Sequence, residues 1–137
     1  MPANTWWTGF QIYTNENLGI HFPTEGDAGT FAGYLAEYVN YQNEVASFIV
    51  NRQDVYQLTP FVFSNERDVV SPGLVPVLAT GVFHTHVNDQ LRLSFGDERY
   101  ARNQRLNIYM RNTKHNVSDF KPWYQCETGF DALQITP

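Results

Sequence analysis

The chain has 137 residues, of which 42% are hydrophobic and 17% charged, and this predicts one globular domain spanning residues 1–137. The formal net charge of −5 argues against a nucleic-acid partner, because proteins that bind nucleic acids usually present a basic surface. With 10 Phe, 8 Tyr and 3 Trp, the composition is aromatic-rich and favours strands.

The first predicted elements are a short strand and a helix. Residues 8–13 form the candidate strand. Thr24 and Asp27 have the spacing of a helix-capping pair, with Pro23 directly before them. Apolar residues then recur at helical spacing, which predicts one amphipathic helix that ends at about Asn40.

A hairpin is predicted after this helix. Two apolar runs, residues 45–50 and residues 54–63, are separated by a polar turn at residues 51–53. This arrangement favours two paired antiparallel strands. The polar stretch at residues 64–76 contains two prolines and a glycine, so we interpret it as a loop within the domain.

The following segment predicts a strand, a helix and another strand. The apolar run at residues 77–83 has the length and composition of a strand. Ser94 is expected to cap a second helix, on which Glu98 and Arg102 form an ion pair one turn apart. Residues 106–111 alternate between apolar and polar side chains, which indicates a half-buried strand.

The remaining chain completes the predicted architecture. A polar turn at residues 112–116 leads to a candidate partner strand at residues 117–124, whereas the tail from Glu127 has no clear pattern. We therefore predict an α+β domain with a mixed, mostly antiparallel sheet flanked by helices. Four arginines, interpreted as a solvated helix face followed by a strand end, are Arg99, Arg102, Arg105 and Arg111.

Cysteine content and targeting signals restrict the location. Cys126 is the only cysteine, which excludes an internal disulfide and a cysteine-based metal site. The N-terminal residues lack the pattern of a Sec signal, and no apolar run approaches the roughly 20 residues of a membrane span. We expect no membrane span, and either a cytoplasmic location or delivery to a target cell by a specialised secretion system.

The most informative feature is a pair of histidines, His84 and His86, at the end of an apolar run. Residues i and i+2 of a strand point to the same face, so both imidazoles would project together. Ser94 follows after seven intervening residues, and Asp97 after two more. Two imidazoles and a carboxylate can hold Zn2+ and leave one coordination position for water.

Each part of this pattern also has a structural explanation. A His-x-His on a strand is more often a pair of polar side chains than a metal site. Ser94 with Asp97 is an ordinary capping arrangement. Glu44, directly before the run at residues 45–50, is equally well explained as a charge at a strand edge.

In combination, Glu44, His84-Thr85-His86, Ser94 and Asp97 resemble the signature of the JAB/JAMM (MPN+) zinc metallopeptidases. That signature has a glutamate on an earlier strand, then His-x-His, seven residues and Ser-x-x-Asp. The resemblance covers about residues 24–111 and implies a JAB/MPN-like, cytidine-deaminase-like fold. One departure is Val87, which stands where the family has a proline.

The resemblance implies a zinc-dependent hydrolase of peptide or isopeptide bonds, whose partner is a protein or peptide substrate. The two histidines and Asp97 would bind Zn2+. Glu44 would be the general base, and Ser94 would hydrogen-bond the oxyanion. Asp89 and Asp119 are candidate hydrogen-bond partners of the ligand imidazoles.

In particular, the chain resembles small JAB-like domains of bacterial polymorphic and RHS-type toxins. The segments that carry this narrower resemblance are TEGDAGTFAGYLAEY, NEVASFIV, DVYQLTP and GVFHTH. It implies a toxin effector in bacterial competition, with a cognate immunity protein as a further partner. A second departure follows Glu44, because Val45-Ala46-Ser47 occupy positions where many members have small residues or glycines that admit substrate.

Other interpretations stay open. A catalytically inactive MPN-like module that binds an immunity or scaffold protein is the main alternative, since many members of the superfamily lack a working site. A cupin is disfavoured because Gln90 and Leu91 stand where its acidic ligand is expected, and a TIM-barrel amidohydrolase needs about 250 residues. A nuclease toxin that uses no zinc fits the acidic charge poorly. His21 and His115 are interpreted as surface residues, and residues 116–118 match a glycosylation sequon.

Overall fold

The computed structural model describes residues 20–39, 42–64, 69–88, 90–113 and 130–136. Several features predicted from the sequence lie outside these residues and stay predictions. They are the strands at residues 8–13 and 117–124, the sequon, Asp89, Cys126, His115 and Asp119.

Two helices and six strands make up the described part of the chain. In chain order they are α1 (Glu25–Val39), β1 (Val45–Arg52), β2 (Val55–Leu58), β3 (Val62–Phe63), β4 (Ala79–His86), α2 (Phe95–Gln104), β5 (Asn107–Asn112) and β6 (Phe130–Leu133). A short 3-10 helix, Pro72–Leu74, lies in the loop before β4. Neither of the described α-helices is long and apolar enough to cross a membrane.

The strands form one open sheet in the order β2-β1-β4-β5-β6, and β3 also pairs with β1. Strands β4 and β5 are parallel, whereas the other described strand pairs are antiparallel. Adjacent strand residues face opposite sides, and Phe83 packs in the cluster of α1 while Val82 packs in the cluster of α2. The two helices therefore flank the sheet, and the predicted α+β class with a mostly antiparallel sheet is confirmed.

Helix α1 begins and ends close to the predicted positions. The Thr24 hydroxyl oxygen accepts the backbone N–H of Asp27 at 3.1 Å, as the capping pattern predicts. Alanines at 28, 32 and 36 are fully buried, and their small side chains bring the helix backbone close to the sheet. Gly33 lies so near Phe130 that a Cβ at this position would be 3.0 Å from the ring.

The predicted hairpin forms, but its turn and second strand differ from the prediction. Strand β1 extends to Arg52, and the turn is formed by Gln53 and Asp54, whose φ angles of 53° and 67° are left-handed. The predicted strand at residues 54–63 is broken into β2 and β3. At the break beside Pro60, the N–H of Thr59 donates to the carbonyl oxygen of Phe48 at 2.9 Å, but the return bond from the N–H of Phe48 goes to the Thr59 hydroxyl, also at 2.9 Å.

In the second half of the chain, the structure differs from the prediction in four respects. Strand β4 begins at Ala79 instead of residue 77 and continues through both histidines. Strand β5 was expected to be half-buried, but all six of its residues are buried, because a helix covers each face of the sheet. Arg111 is consequently a core residue with a fully buried side chain, which forms a 2.7 Å ion pair with Glu37. The tail, which showed no pattern, contains β6.

Candidate metal centre

The two histidines lie at the C-terminal end of β4, the strand between β1 and β5. His84 lies opposite Ala46 of β1 and Met110 of β5, so neighbouring strands enclose it on both sides. His84 is 1% exposed and His86 is 2% exposed. Thr85 points to the other face, where its hydroxyl accepts the N–H of Val45 at 2.9 Å and ties β4 to the start of β1.

Helix α2 supplies the carboxylate. Its first turn has a complete capping box, in which the Ser94 hydroxyl oxygen accepts the N–H of Asp97 at 3.1 Å. In return, Oδ2 of Asp97 accepts the N–H of Ser94 at 2.9 Å. Asp131 of β6 accepts the N–H of Leu93 at 2.8 Å and holds the chain just before the helix. The carboxylate is therefore held in place by both its own helix and the sheet.

Three electron-pair donors converge at this point. Nε2 of His84 lies 3.0 Å from Nε2 of His86, and Oδ2 of Asp97 lies 3.2 Å and 2.9 Å from these two nitrogens. Three donors bound to one tetrahedral zinc ion, each about 2.0–2.1 Å from it, would be about 3.3 Å apart. The triangle needs to expand by only a few tenths of an ångström, so this buried group could hold a metal ion.

His86 has a hydrogen-bond acceptor at each ring nitrogen. Nδ1 lies 3.3 Å from the carbonyl oxygen of Gln90, and Nε2 lies 2.9 Å from the carboxylate oxygen of Asp97. With a cation at Nε2, the hydrogen of the neutral ring would be on Nδ1 and would be donated to Gln90. Two electron pairs at 2.9 Å repel each other unless a proton or a cation lies between them.

The electrostatics of the centre favour an ionised carboxylate. Burial opposes the charge of Asp97, but hydrogen bonds to His84 and His86 and the N–H of Ser94 hold the pKa of its carboxyl well below the usual value. Burial also opposes a charge on His86, yet the hydrogen bond and charge of Asp97 and the charge of Glu44 raise its pKa. The centre therefore attracts positive charge.

The other two predicted site residues lie beside this triangle. Glu44 is half-buried and directly precedes β1. Continuing the β1–β4 register by two residues from Ala46 and His84 puts Glu44 opposite His86, in agreement with its charge effect on that ring. The Ser94 hydroxyl accepts the helix-cap hydrogen bond and donates its own hydrogen to no described group.

Sequence reasoning missed two residues that support the centre, Gln90 and Asn112. Asn112 was assigned to a turn, but it is the last residue of β5, lies opposite His86 and is 1% exposed. Its side chain donates to the Gln90 carbonyl, which in turn accepts from His86. Asn112 is identified by its burial opposite His86. This position depends on the parallel pairing of β4 and β5, which the sequence pattern does not give. His21 is exposed, as predicted.

The arrangement could hold a divalent cation, with the carboxylate of Glu44 and the hydroxyl of Ser94 beside it. The side chain of Asp97 is 13% exposed, so the centre is open to solvent on one side. Comparison of the chain with protein-family models, with curated proteins and with solved structures gave no match.

Proposed function

We propose that the chain is a zinc-dependent amide hydrolase of the JAMM type, with a JAB/MPN-like fold, that cuts peptide or isopeptide bonds. The observation that supports it most is the convergence of Nε2 of His84, Nε2 of His86 and Oδ2 of Asp97 within 3.2 Å of one another. The sequence spacing that resembles the JAMM signature supplies the reaction class, and the solvent-exposed edge of Asp97 supplies access for water.

Bound zinc would lower the pKa of a water molecule towards neutrality, which makes hydroxide available at physiological pH. Glu44 would accept the proton of that water as its oxygen attacks the carbonyl carbon. The Ser94 hydroxyl would donate a hydrogen bond to the oxyanion, an interaction worth about 3 to 4 kcal/mol. When the C–N bond breaks, Glu44 would return the proton to the leaving amine. Water is thus added across the amide bond.

Two exposed aromatic side chains support a protein as the substrate. Phe63 is 70% exposed and pairs with Val45, the neighbour of Glu44. Phe95 is 78% exposed and follows Ser94. Exposed apolar groups beside the proposed base and the proposed oxyanion donor are suited to contact an extended chain. The toxin role, delivery to a target cell and a cognate immunity partner rest on the sequence resemblance.

Replacement of Glu44 by Gln tests the mechanism. Glu44→Gln should keep about one zinc ion per chain, since the three ligands are intact, but should lose activity because an amide cannot accept the proton. The measurement is elemental zinc analysis together with growth arrest when the chain is expressed in a bacterial host. His21→Ala, a change at an exposed site, is the control and should behave as wild type. Growth arrest by Glu44→Gln equal to that of wild type would exclude Glu44 as the base.

A non-catalytic MPN-like module that binds an immunity or scaffold protein is the second candidate, and the same exposed Phe63 and Phe95 favour it. It predicts a partner whose binding is unchanged by Glu44→Gln and by loss of the metal. Growth arrest that disappears in Glu44→Gln, with zinc retained, would exclude it.

A further inference from the structure

We infer that Asn112 is a positioning residue, which fixes the ring direction of His86 through the carbonyl group of Gln90. The inference rests on the proposed metal binding, because its consequence is a higher affinity for the cation. Asn112 does not touch the three donor atoms, and it acts through the loop that links β4 to α2.

The contacts of Asn112 form a clamp on that loop. Its Nδ2 group donates one hydrogen bond to the carbonyl of Asn88 at 2.8 Å and another to the carbonyl of Gln90 at 2.5 Å. The Asn88 side chain accepts the N–H of Gln90 at 3.0 Å and closes the turn from within. Both hydrogens of the amide nitrogen are thus used, and the two carbonyl oxygens are drawn to the same point.

Residues of the core hold Asn112 in place. Asn112 is buried at the end of β5, and its carbonyl oxygen accepts a 2.8 Å hydrogen bond from the guanidinium group of Arg111. Arg111 is in turn paired with Glu37 of α1 and lies over the ring of Phe130, 4.7 Å from the ring centre. The position of Asn112 is therefore set by both α1 and the sheet.

The consequence for His86 follows from the direction of the Gln90 carbonyl. This oxygen receives the Asn112 amide and also lies 3.3 Å from Nδ1 of His86. This acceptor holds the ring so that Nε2 faces the centre, and a cation at Nε2 would leave the hydrogen of the neutral ring on Nδ1, where the same oxygen accepts it. Partners of this kind are typically worth about 10- to 100-fold in metal affinity.

An aspartate at this position separates positioning from charge. Asn112→Asp has the same shape but no N–H group, so its oxygens would face the two carbonyl oxygens and repel them. The added negative charge alone would strengthen cation binding, whereas loss of the clamp weakens it. Asn103→Asp, on the exposed side of α2, adds the same charge without touching the loop and is the matched control.

The test combines zinc titration against a competing chelator with NMR of the Nδ1 hydrogen of His86 in metal-free protein at mildly acidic pH, where both ring nitrogens carry hydrogen. We expect this hydrogen to exchange slowly with solvent in wild type and faster in Asn112→Asp, and zinc affinity to be about 10- to 100-fold weaker in Asn112→Asp. Asn103→Asp should keep the wild-type affinity or exceed it. Should Asn112→Asp fail to fold, Asn112→Ser is measured in the same way.

The outcomes separate the two proposals. Absence of zinc binding by wild type would refute the metal site, and solvent exchange of the Nδ1 hydrogen would still test the clamp. Rapid exchange of this hydrogen in wild type overturns the clamp, even if no variant folds. Zinc affinity in Asn112→Asp equal to or above that of wild type also overturns it.

Discussion

Two polar clusters lie on opposite faces and at opposite ends of the same sheet, and they differ in how their hydrogens are distributed. At the start of β5, Oε1 of Glu25 accepts hydrogen bonds from the amide of Asn107, at 2.8 Å, and from the hydroxyl of Tyr109. At the end of β4, the carboxylate of Asp97 instead meets two imidazole nitrogens. In the Glu25 cluster the donors and the acceptor are fixed, whereas the three atoms of the Asp97 cluster can all offer an electron pair and only the ring hydrogens lie between them.

This difference distinguishes a structural polar cluster from a group that could hold a metal ion. Burial and the neighbouring Glu25 raise the pKa of Tyr109 well above its usual value, so its hydroxyl keeps its hydrogen and remains a donor. The carboxylate of Glu25 therefore joins α1 to the sheet without needing another cation. At Asp97, positive charge between the three electron-pair donors would come from a protonated ring or from a bound metal ion.

Surface shape alone would identify a cleft at the other end of the sheet and not the candidate metal centre. A cleft of about 450 Å3 is lined by Glu25, Tyr56, Asn107 and Tyr109, on the side away from the histidines. We place the proposed chemistry at the histidines because Glu25, Asn107 and Tyr109 in the cleft already hydrogen-bond one another. Among the described residues, the group of three His and Asp side chains that could hold a metal ion is at Asp97.

The largest expected difference between the clusters is in zinc content. His84→Ala combined with His86→Ala removes two of three ligands and should reduce zinc from about one ion per chain to none. Glu25→Gln, in the other cluster, should leave the zinc content unchanged. Elemental analysis after dialysis measures both. A double variant that still holds a full complement of zinc would contradict the proposed site.

A smaller effect separates two aspartates that occupy the same position in their helices. Asp97→Asn should keep the helix cap but lose the anionic ligand, whereas Asp27→Asn changes the matching residue of α1. Zinc at 100 times its dissociation constant should stabilise wild type by about 2.7 kcal/mol, a rise in Tm of roughly 8 °C. We expect that rise to persist in Asp27→Asn and to disappear in Asp97→Asn. An equal rise in both variants, measured by thermal unfolding, would remove Asp97 from the ligand set.

The smallest effect concerns the Glu25 cluster. Tyr109→Phe deletes a hydrogen bond to a carboxylate and should lower the free energy of unfolding by about 1.5 to 3 kcal/mol. Urea denaturation measures this loss, and zinc affinity should stay at the wild-type value. Unchanged stability together with altered zinc affinity would contradict this expectation and would show that the two clusters are coupled.

The parts of the fold that the sequence predicts well are those decided by neighbouring residues. The cap of α1 by Thr24 and Asp27 and the capping box of Ser94 and Asp97 depend on positions three residues apart. The common face of His84 and His86 follows from the pleat of any strand. These features require only local backbone geometry, and the structure contains each of them.

Features that depend on residues far apart in the sequence were determined by the tertiary structure. The burial of both faces of β5, the pairing of β6 and the core position of Arg111 follow from which elements lie beside them, and no local pattern contains that information. The same holds at the candidate centre, where Asn112 becomes significant only because parallel pairing puts it beside His86. Residue spacing therefore determines which side chains can act together, and the long-range packing of strands and helices determines what holds them there.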